Sequence, residues 1–398
     1  MDGNVILRDL RLATMISEGD DPFGLIEDAV VAITDGRVAY AGPATHFAAK
    51  KHDVQSISMD GRLVLPGFVC CHNTLLWAQG ATANPQQDAR SYRRLINETA
   101  ELTATTSDAE LLDCARDRLA MLMRSGVTTF ELKSGFGRTP EEELRLAQLI
   151  RQLQGGTSAL STATLYAGHF IPEDTDPGDH LEAIVTRLLP QIQESQGCDA
   201  VQVFCDEAAG LDLDQASTIL EAFYRKKTPS RVACDRFADS AGATLPASFY
   251  SRSATYLCQS DETGLGSIAG TGTTMVLVPE IALSDLDSRR PDIAAIRACG
   301  GHLAVSSESG PDGAGKLNLL TAARLAVDCF QLTPYEALSG ITLHAARALG
   351  LAEQVGSVAV GKRGDLVVFD AETPEDLVRG PDMLPFAVIA AGASALPT

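Results

Sequence analysis

A chain of 398 residues, 45% hydrophobic and 21% charged, has the apolar material to bury a large core as one big or two unequal domains. Its formal charge of −20 excludes nucleic acid and anionic membrane as partners, because both demand a basic footprint. No apolar run approaches the roughly 18 residues of a membrane span and nothing near Met1 reads as a signal segment, so a cytoplasmic protein with nine reduced cysteines is expected.

In chain order, Val5-Ile6-Leu7 is followed by Ala29-Val30-Val31-Ala32-Ile33 and Val38-Ala39-Tyr40-Ala41, and the Asp35-Gly36 pair between the last two runs predicts a hairpin. From Leu65 to Leu75 an apolar strand runs into a polar turn that carries His72. Helical patterns near 108–125, 141–154 and 181–195 each precede a strand, at 127–131, 165–167 and 201–204. Further strands at 231–234, 254–257, 275–278 and 303–306 bring the number near eight. This alternation predicts a parallel sheet with helices outside, for which a closed barrel is the natural form. The segments 356–361, 365–370 and 387–390 return to the β texture of the N-terminus. The expected fold is α/β: a (β/α)8 TIM-like barrel over 61–350, with a small β-sandwich domain built from both termini, 1–60 plus 351–398.

One segment is more specific than any periodicity. Gly126-Val127-Thr128-Thr129-Phe130-Glu131-Leu132-Lys133-Ser134-Gly135-Phe136-Gly137 resembles the G-V-T-T-x-E-x-K-S-G-Y-G of the imidazolonepropionases, in the amidohydrolase superfamily. Val203-Phe204-Cys205-Asp206-Glu207 is similar to that family's V-F-C-E, and Gly168-His169-Phe170-Ile171-Pro172 to its A-H-x-x-P. The resemblance implies a zinc or iron hydrolase that opens a five-membered imidazolone ring by metal-activated water. It also implies a small-molecule ligand and a homodimer.

Set against the family pattern, most chemical positions differ. His72 keeps the first ligand of a His-x-His pair, but Thr74 stands at the second, and a neutral hydroxyl is a poor zinc ligand. The family's H-A-D-E-F strand reads Ala233-Cys234-Asp235-Arg236-Phe237, so Ala233 replaces a ligand histidine and Arg236 a glutamate. Tyr256 stands for a catalytic histidine, and Glu308 for the aspartate that would hold metal and orient water. Ala81 and Phe136 stand for an arginine and a tyrosine that would grip a carboxylate. What the resemblance leaves as catalytic candidates is Glu308 and His169, in a pocket of His72, Thr74, Ser134, Phe136, His169, Arg236, Tyr256 and Glu308. No cofactor is expected; zinc or iron is implied by resemblance alone, with His72 and Glu308 as residual ligands. Arg236 is expected to stand in for the metal, paired with Glu308, Asp235 or both. Two readings stay open: an amidohydrolase impaired or inactive in the parent reaction, and a non-catalytic subunit that binds a small ligand or serves an assembly.

Other motifs have plainer readings. Gly310-Pro311-Asp312-Gly313-Ala314-Gly315-Lys316-Leu317 has phosphate-loop spacing but ends in Leu317, where a hydroxyl should hold Mg²⁺. Cys70 shares the face of His72 and Cys71 turns away; with no second activating group, both read as buried structural thiols. His46, His52, His180, His302 and His344 lack partner spacing and read as surface or core residues.

Overall fold

The computed structural model describes residues 4–48, 55–81, 87–286, 289–313 and 318–395. Eight parallel strands succeed one another in chain order: Phe68–Cys70, Val127–Lys133, Leu160–Gly168, Ala200–Cys205, Ser230–Cys234, Ser253–Tyr256, Thr274–Leu277 and His302–Val305. Each is hydrogen-bonded to the next, and the ladder curls until its edges meet. There the His72 amide donates to Ser306 Oγ at 3.0 Å, and that hydroxyl donates to the His72 carbonyl at 3.1 Å. The core of the molecule is a (β/α)8 barrel.

The helices start where the sequence supplies caps. Asp108–Arg124 begins on Ser107, whose hydroxyl accepts the Glu110 amide, and buries Leu111, Leu112, Ala115, Leu119 and Leu122 at helical spacing. Pro140–Gly155 begins on Thr139 with proline in its first turn. The helix expected over 181–195 is in three parts: Pro177–Ala183, a π turn over Ile184–Leu188, then Leu189–Ser195. Pro190 has no N–H to give, and the wider turn before it absorbs the missing bond. Strand Val127–Lys133 is buried end to end, so its alternation decides what enters the barrel. Phe130 and Leu132 lie on one face, and Glu131 and Lys133 on the other, inward face.

Both termini enter one further sheet, in the order Ala393–Ala395, Ala387–Ala390, Leu366–Phe369, Leu63–Pro66, Val5–Ala13, Leu25–Thr34 and Arg37–Pro43, with Gln55–Ser58 also beside Val5–Ala13. The Asp35-Gly36 hairpin forms, both residues taking positive φ. Leu63–Pro66 ties the ends together, parallel to Val5–Ala13 and antiparallel to Leu366–Phe369. The single apolar strand expected from Leu65 is therefore divided, one part in each sheet. The division falls at Gly67, where a Cβ would sit 2.2 Å from Thr128 Oγ1, so only glycine passes between the two sheets. Residues 356–361 carry β texture but form no strand, because Gly356 and Gly361 take φ of +88° and +89°. All nine cysteines are free thiols. Among the described residues no helix is long and apolar enough to cross a membrane.

Phe68 and Phe369, both fully buried, stack with centroids 5.9 Å apart where the terminal sheet meets the barrel. Truncation there leaves a cavity that neither element can close alone. Phe369→Ala is expected to cost about 3–5 kcal/mol in urea unfolding; a loss below about 1 kcal/mol would show that this contact does not hold the two sheets together.

Candidate functional site

The inner face of Val127–Lys133 sends two charges into the barrel. Glu131 and Lys133 are both fully buried and lie 3.3 Å apart, Oε2 to Nζ. The other oxygen of Glu131 lies 3.3 Å from Arg231 Nε and accepts from Thr164 Oγ1 at 2.7 Å, while Arg231 Nη1 donates to the same threonine. Burial alone would raise the Glu131 pKa, but Lys133 and Arg231 outweigh it and the net shift is downward. Towards the mouth, Lys133 Nζ lies 2.7 Å from His72 Nδ1, and His72 Nε2 lies 3.0 Å from Glu308 Oε2. An ammonium has donors only, so Nδ1 accepts and the ring proton sits on Nε2, facing Glu308. Glu308 takes a further bond from the Gly310 amide at 2.9 Å. Against burial, His72 and Lys133 hold its carboxyl well below the usual range.

A second cluster surrounds Arg236. Asp285 takes its Nε and Nη2 in a two-pronged bond, each arm 2.8 Å, and Asp312 takes Nη1 at 2.7 Å. The guanidinium carbon lies 4.6 Å from the ring centroids of Tyr92 and Phe237 and 5.1 Å from that of Tyr256. Tyr256 and Leu257 take φ of +76° and +59°, a region side chains disfavour, and the Tyr256 ring meets His72 edge-on. The expected pairing of Arg236 with Asp235 or Glu308 is not made. Asp235 instead accepts from the Ser240, Gly242 and Ala243 amides and from Ser260 Oγ, capping its own loop. Glu308 is taken by His72.

His169 lies apart from Glu308's partners. Its Nδ1 donates to the Gly135 carbonyl at 2.7 Å, and Tyr92 donates its hydroxyl to Nε2 at 2.9 Å. Tyr166 stacks on the ring at 4.3 Å and Phe136 meets it edge-on. Burial pushes the His169 pKa down to about 4, so the ring is neutral near pH 7. Ser134 Oγ accepts the Tyr166 amide, and the Thr74 carbonyl accepts from Trp77 Nε1. Cys70, beside Ser306 and Ser307, is pushed up to about 11 by burial, which keeps it a thiol. Of the phosphate-loop segment, Ala314 to Leu317 lie outside the described residues, and Asp312 belongs to the Arg236 cluster. Ala81 is described, His52 is not.

Of the residues singled out in sequence, the structure brings Arg236, Tyr256, His72 and Glu308 together, and it adds Lys133, Glu131, Arg231, Tyr92, Asp285 and Asp312, which sequence reading did not single out as site residues. For Glu131 and Lys133 a signal existed: two charges at strand spacing inside an otherwise uncharged run. For Asp285 and Asp312 none did, as each is one acidic residue among many.

A model of the Amidohydrolase family matches residues 268–393. Over nearly its whole length the chain is 31% identical to the imidazolonepropionase of Maricaulis maris, covering 94% of each chain. It is 33% identical to that of Methylobacterium sp., covering 93% of this chain and 94% of the other. Among solved structures, an adenosine deaminase from Xanthomonas campestris with bound zinc superposes with a TM-score of 0.76 at 17% identity, covering 99% of this chain and 93% of that one. A triazine hydrolase variant gives 0.80 at 17%, covering 99% and 95%. Those two structures speak for the fold alone.

Two expectations follow from the buried charges. Arg236→Ala removes from a buried pocket the cation that Asp285 and Asp312 share and should destabilise the protein by about 3–5 kcal/mol in chemical unfolding; a loss under about 1 kcal/mol would mean that water reaches the two carboxylates. Glu143, buried beside Gly137, is raised by burial to about 7. Its protonated form favours the fold, so that contribution is complete below the ordinary carboxylate pKa and is lost as pH rises through about 7. Glu143→Gln should therefore remove a fall in stability of roughly 3 kcal/mol between pH 4 and 8; unfolding curves with an unchanged pH slope would refute it.

Proposed function

The chain belongs to the imidazolonepropionase family of the amidohydrolases, and from that premise we propose that its metal site has lost two of its ligands, with Thr74 and Ala233 where histidines are implied, so that imidazolonepropionate is not hydrolysed at an enzymatic rate. The observation that carries the reading is the ligand set: of the four implied positions only His72 and Glu308 keep a ligand side chain, and these two lie 3.0 Å apart, bonded to each other. A catalytic zinc takes about three protein ligands. Of the four positions that resemblance implies, Thr74 and Ala233 offer no imidazole or carboxylate. Among the described residues no group of three His, Cys, Asp or Glu stands ready to hold an ion. The donor set does not fit the family's metal.

The remaining groups do not supply a nucleophile by another route. Glu308 is a weak base, held ionised by its neighbours. Tyr256 is a buried phenol whose pKa burial and Glu308 push well above its usual value. His169 has both nitrogens in hydrogen bonds. His72, Arg236, Tyr256, His169, Phe136 and Glu308 are each at most 5% exposed, which leaves little room for water between them. This supports a protein kept for binding or assembly, and we place it in the cytoplasm as a homodimer. A second reading, hydrolysis through a weakly held ion, rests on the closeness of His72 Nε2 and Glu308 Oε2, two ligand types at one spot.

Elemental analysis of protein purified without added metal should find well under one equivalent of zinc or iron. A spectrophotometric assay should find no turnover of imidazolonepropionate at about 1 s⁻¹ or faster, the low end for enzymes. A full equivalent surviving dialysis against chelator, with turnover, would overturn the first reading, and turnover that appears only with added metal would establish the second.

A further inference from the structure

Arg236 is held the way a receptor holds a free ligand. Its carboxylate partners meet the edge of the guanidinium plane, two bonds from Asp285 and one from Asp312. Three aromatic rings, Tyr92, Phe237 and Tyr256, lie within 5.1 Å of its carbon. These five groups come from separate places: helix Ala89–Thr105, the turn after strand Ser230–Cys234, the last residue of strand Ser253–Tyr256, the end of helix Pro279–Ser284, and the short turn Pro311–Gly313. The backbone adds two ties of its own, the Leu286 amide donating to Gln87 O at 2.6 Å and the Gln87 amide donating to Ser284 O at 3.1 Å. The guanidinium itself is fully buried and the Asp312 side chain only 5% exposed.

We infer that the barrel mouth is a guanidinium-binding site whose resident ligand is the chain's own Arg236, and that it accepts a free guanidinium-type cation once that side chain is cut back. In the intact chain the tethered ligand fastens the mouth segments to one another. Selectivity follows from the receptor: two carboxylates that take three N–H groups match a flat fork of donors, and three rings within 5.1 Å of its carbon favour a weakly hydrated guanidinium over a compact ammonium. The site stands on different residues from the metal position. Its failure would leave the metal content unaffected, and a full equivalent of zinc would leave the slot intact.

The test is Arg236→Ala, compared with the intact protein by thermal unfolding in millimolar guanidinium, methylguanidinium, tetramethylammonium and sodium chlorides at equal ionic strength. Guanidinium and methylguanidinium should raise the variant's Tm saturably by about 2 °C or more. The intact protein, with its slot filled, should show no such rise. A variant that responds to guanidinium no more than to sodium overturns the inference. Should the variant not fold, nitrogen-detected hydrogen exchange on the intact protein decides: the Arg236 Nε–H should exchange at least about tenfold more slowly than exposed arginines, and faster in Asp285→Asn. Exchange at the exposed rate would equally overturn it.

Discussion

A charge carried into the interior of a barrel must be met there by an opposite charge, because desolvation costs several kcal/mol per ion and water is not present to offset it. The arrangement of this molecule depends on that constraint. Glu131 and Lys133 enter on one strand and are answered by Thr164 from the adjacent strand, Arg231 from across the barrel, and His72 and Glu308 at the mouth. Barrel interiors are usually filled by branched apolar residues. Here a chain of alternating charge runs along the inside instead, and it terminates on the histidine that the family resemblance marks as a metal ligand.

The same constraint explains why the mouth is double. Arg236 is too well satisfied by Asp285 and Asp312 to share Glu308, and Glu308 is too well satisfied by His72 and the Gly310 amide to need it. Tyr256 lies between the clusters, edge-on to His72 and over Arg236, and Tyr92 joins Arg236 to His169. Each ring separates ion pairs that would otherwise compete and adds attraction to the cation it faces. The left-handed backbone at Tyr256 and Leu257 is the local strain that this placement accompanies.

The positions where the chain departs from its family's pattern were all legible in the sequence, since each is a single residue in an aligned motif. Their consequences were not. Arg236 read as a cation in need of a carboxylate, which is correct, but Asp235 beside it was already engaged by three loop amides and a serine. Nothing local to Asp285 or Asp312 distinguishes them from other acidic residues in a chain with 52 of them.

What the sequence determined by itself is whatever depends on neighbours a few residues apart. The alternation of strand and helix patterns gave the barrel, caps set helix starts, Asp35-Gly36 set a hairpin, and the Gly126 to Gly137 motif carried the family resemblance. What only the tertiary structure decided is the pairing of groups remote along the chain. Lys133 reaches His72 across 61 residues, and Arg236 reaches Asp285 and Asp312 across 49 and 76. Such contacts are set by the curl of the sheet and the entry of loops over its mouth, and no local rule encodes them. Gly67 is the exception that joins the two levels: one glycine, unremarkable in sequence, lies where the chain must pass within a hydroxyl's reach of Thr128 to leave one sheet and begin the other.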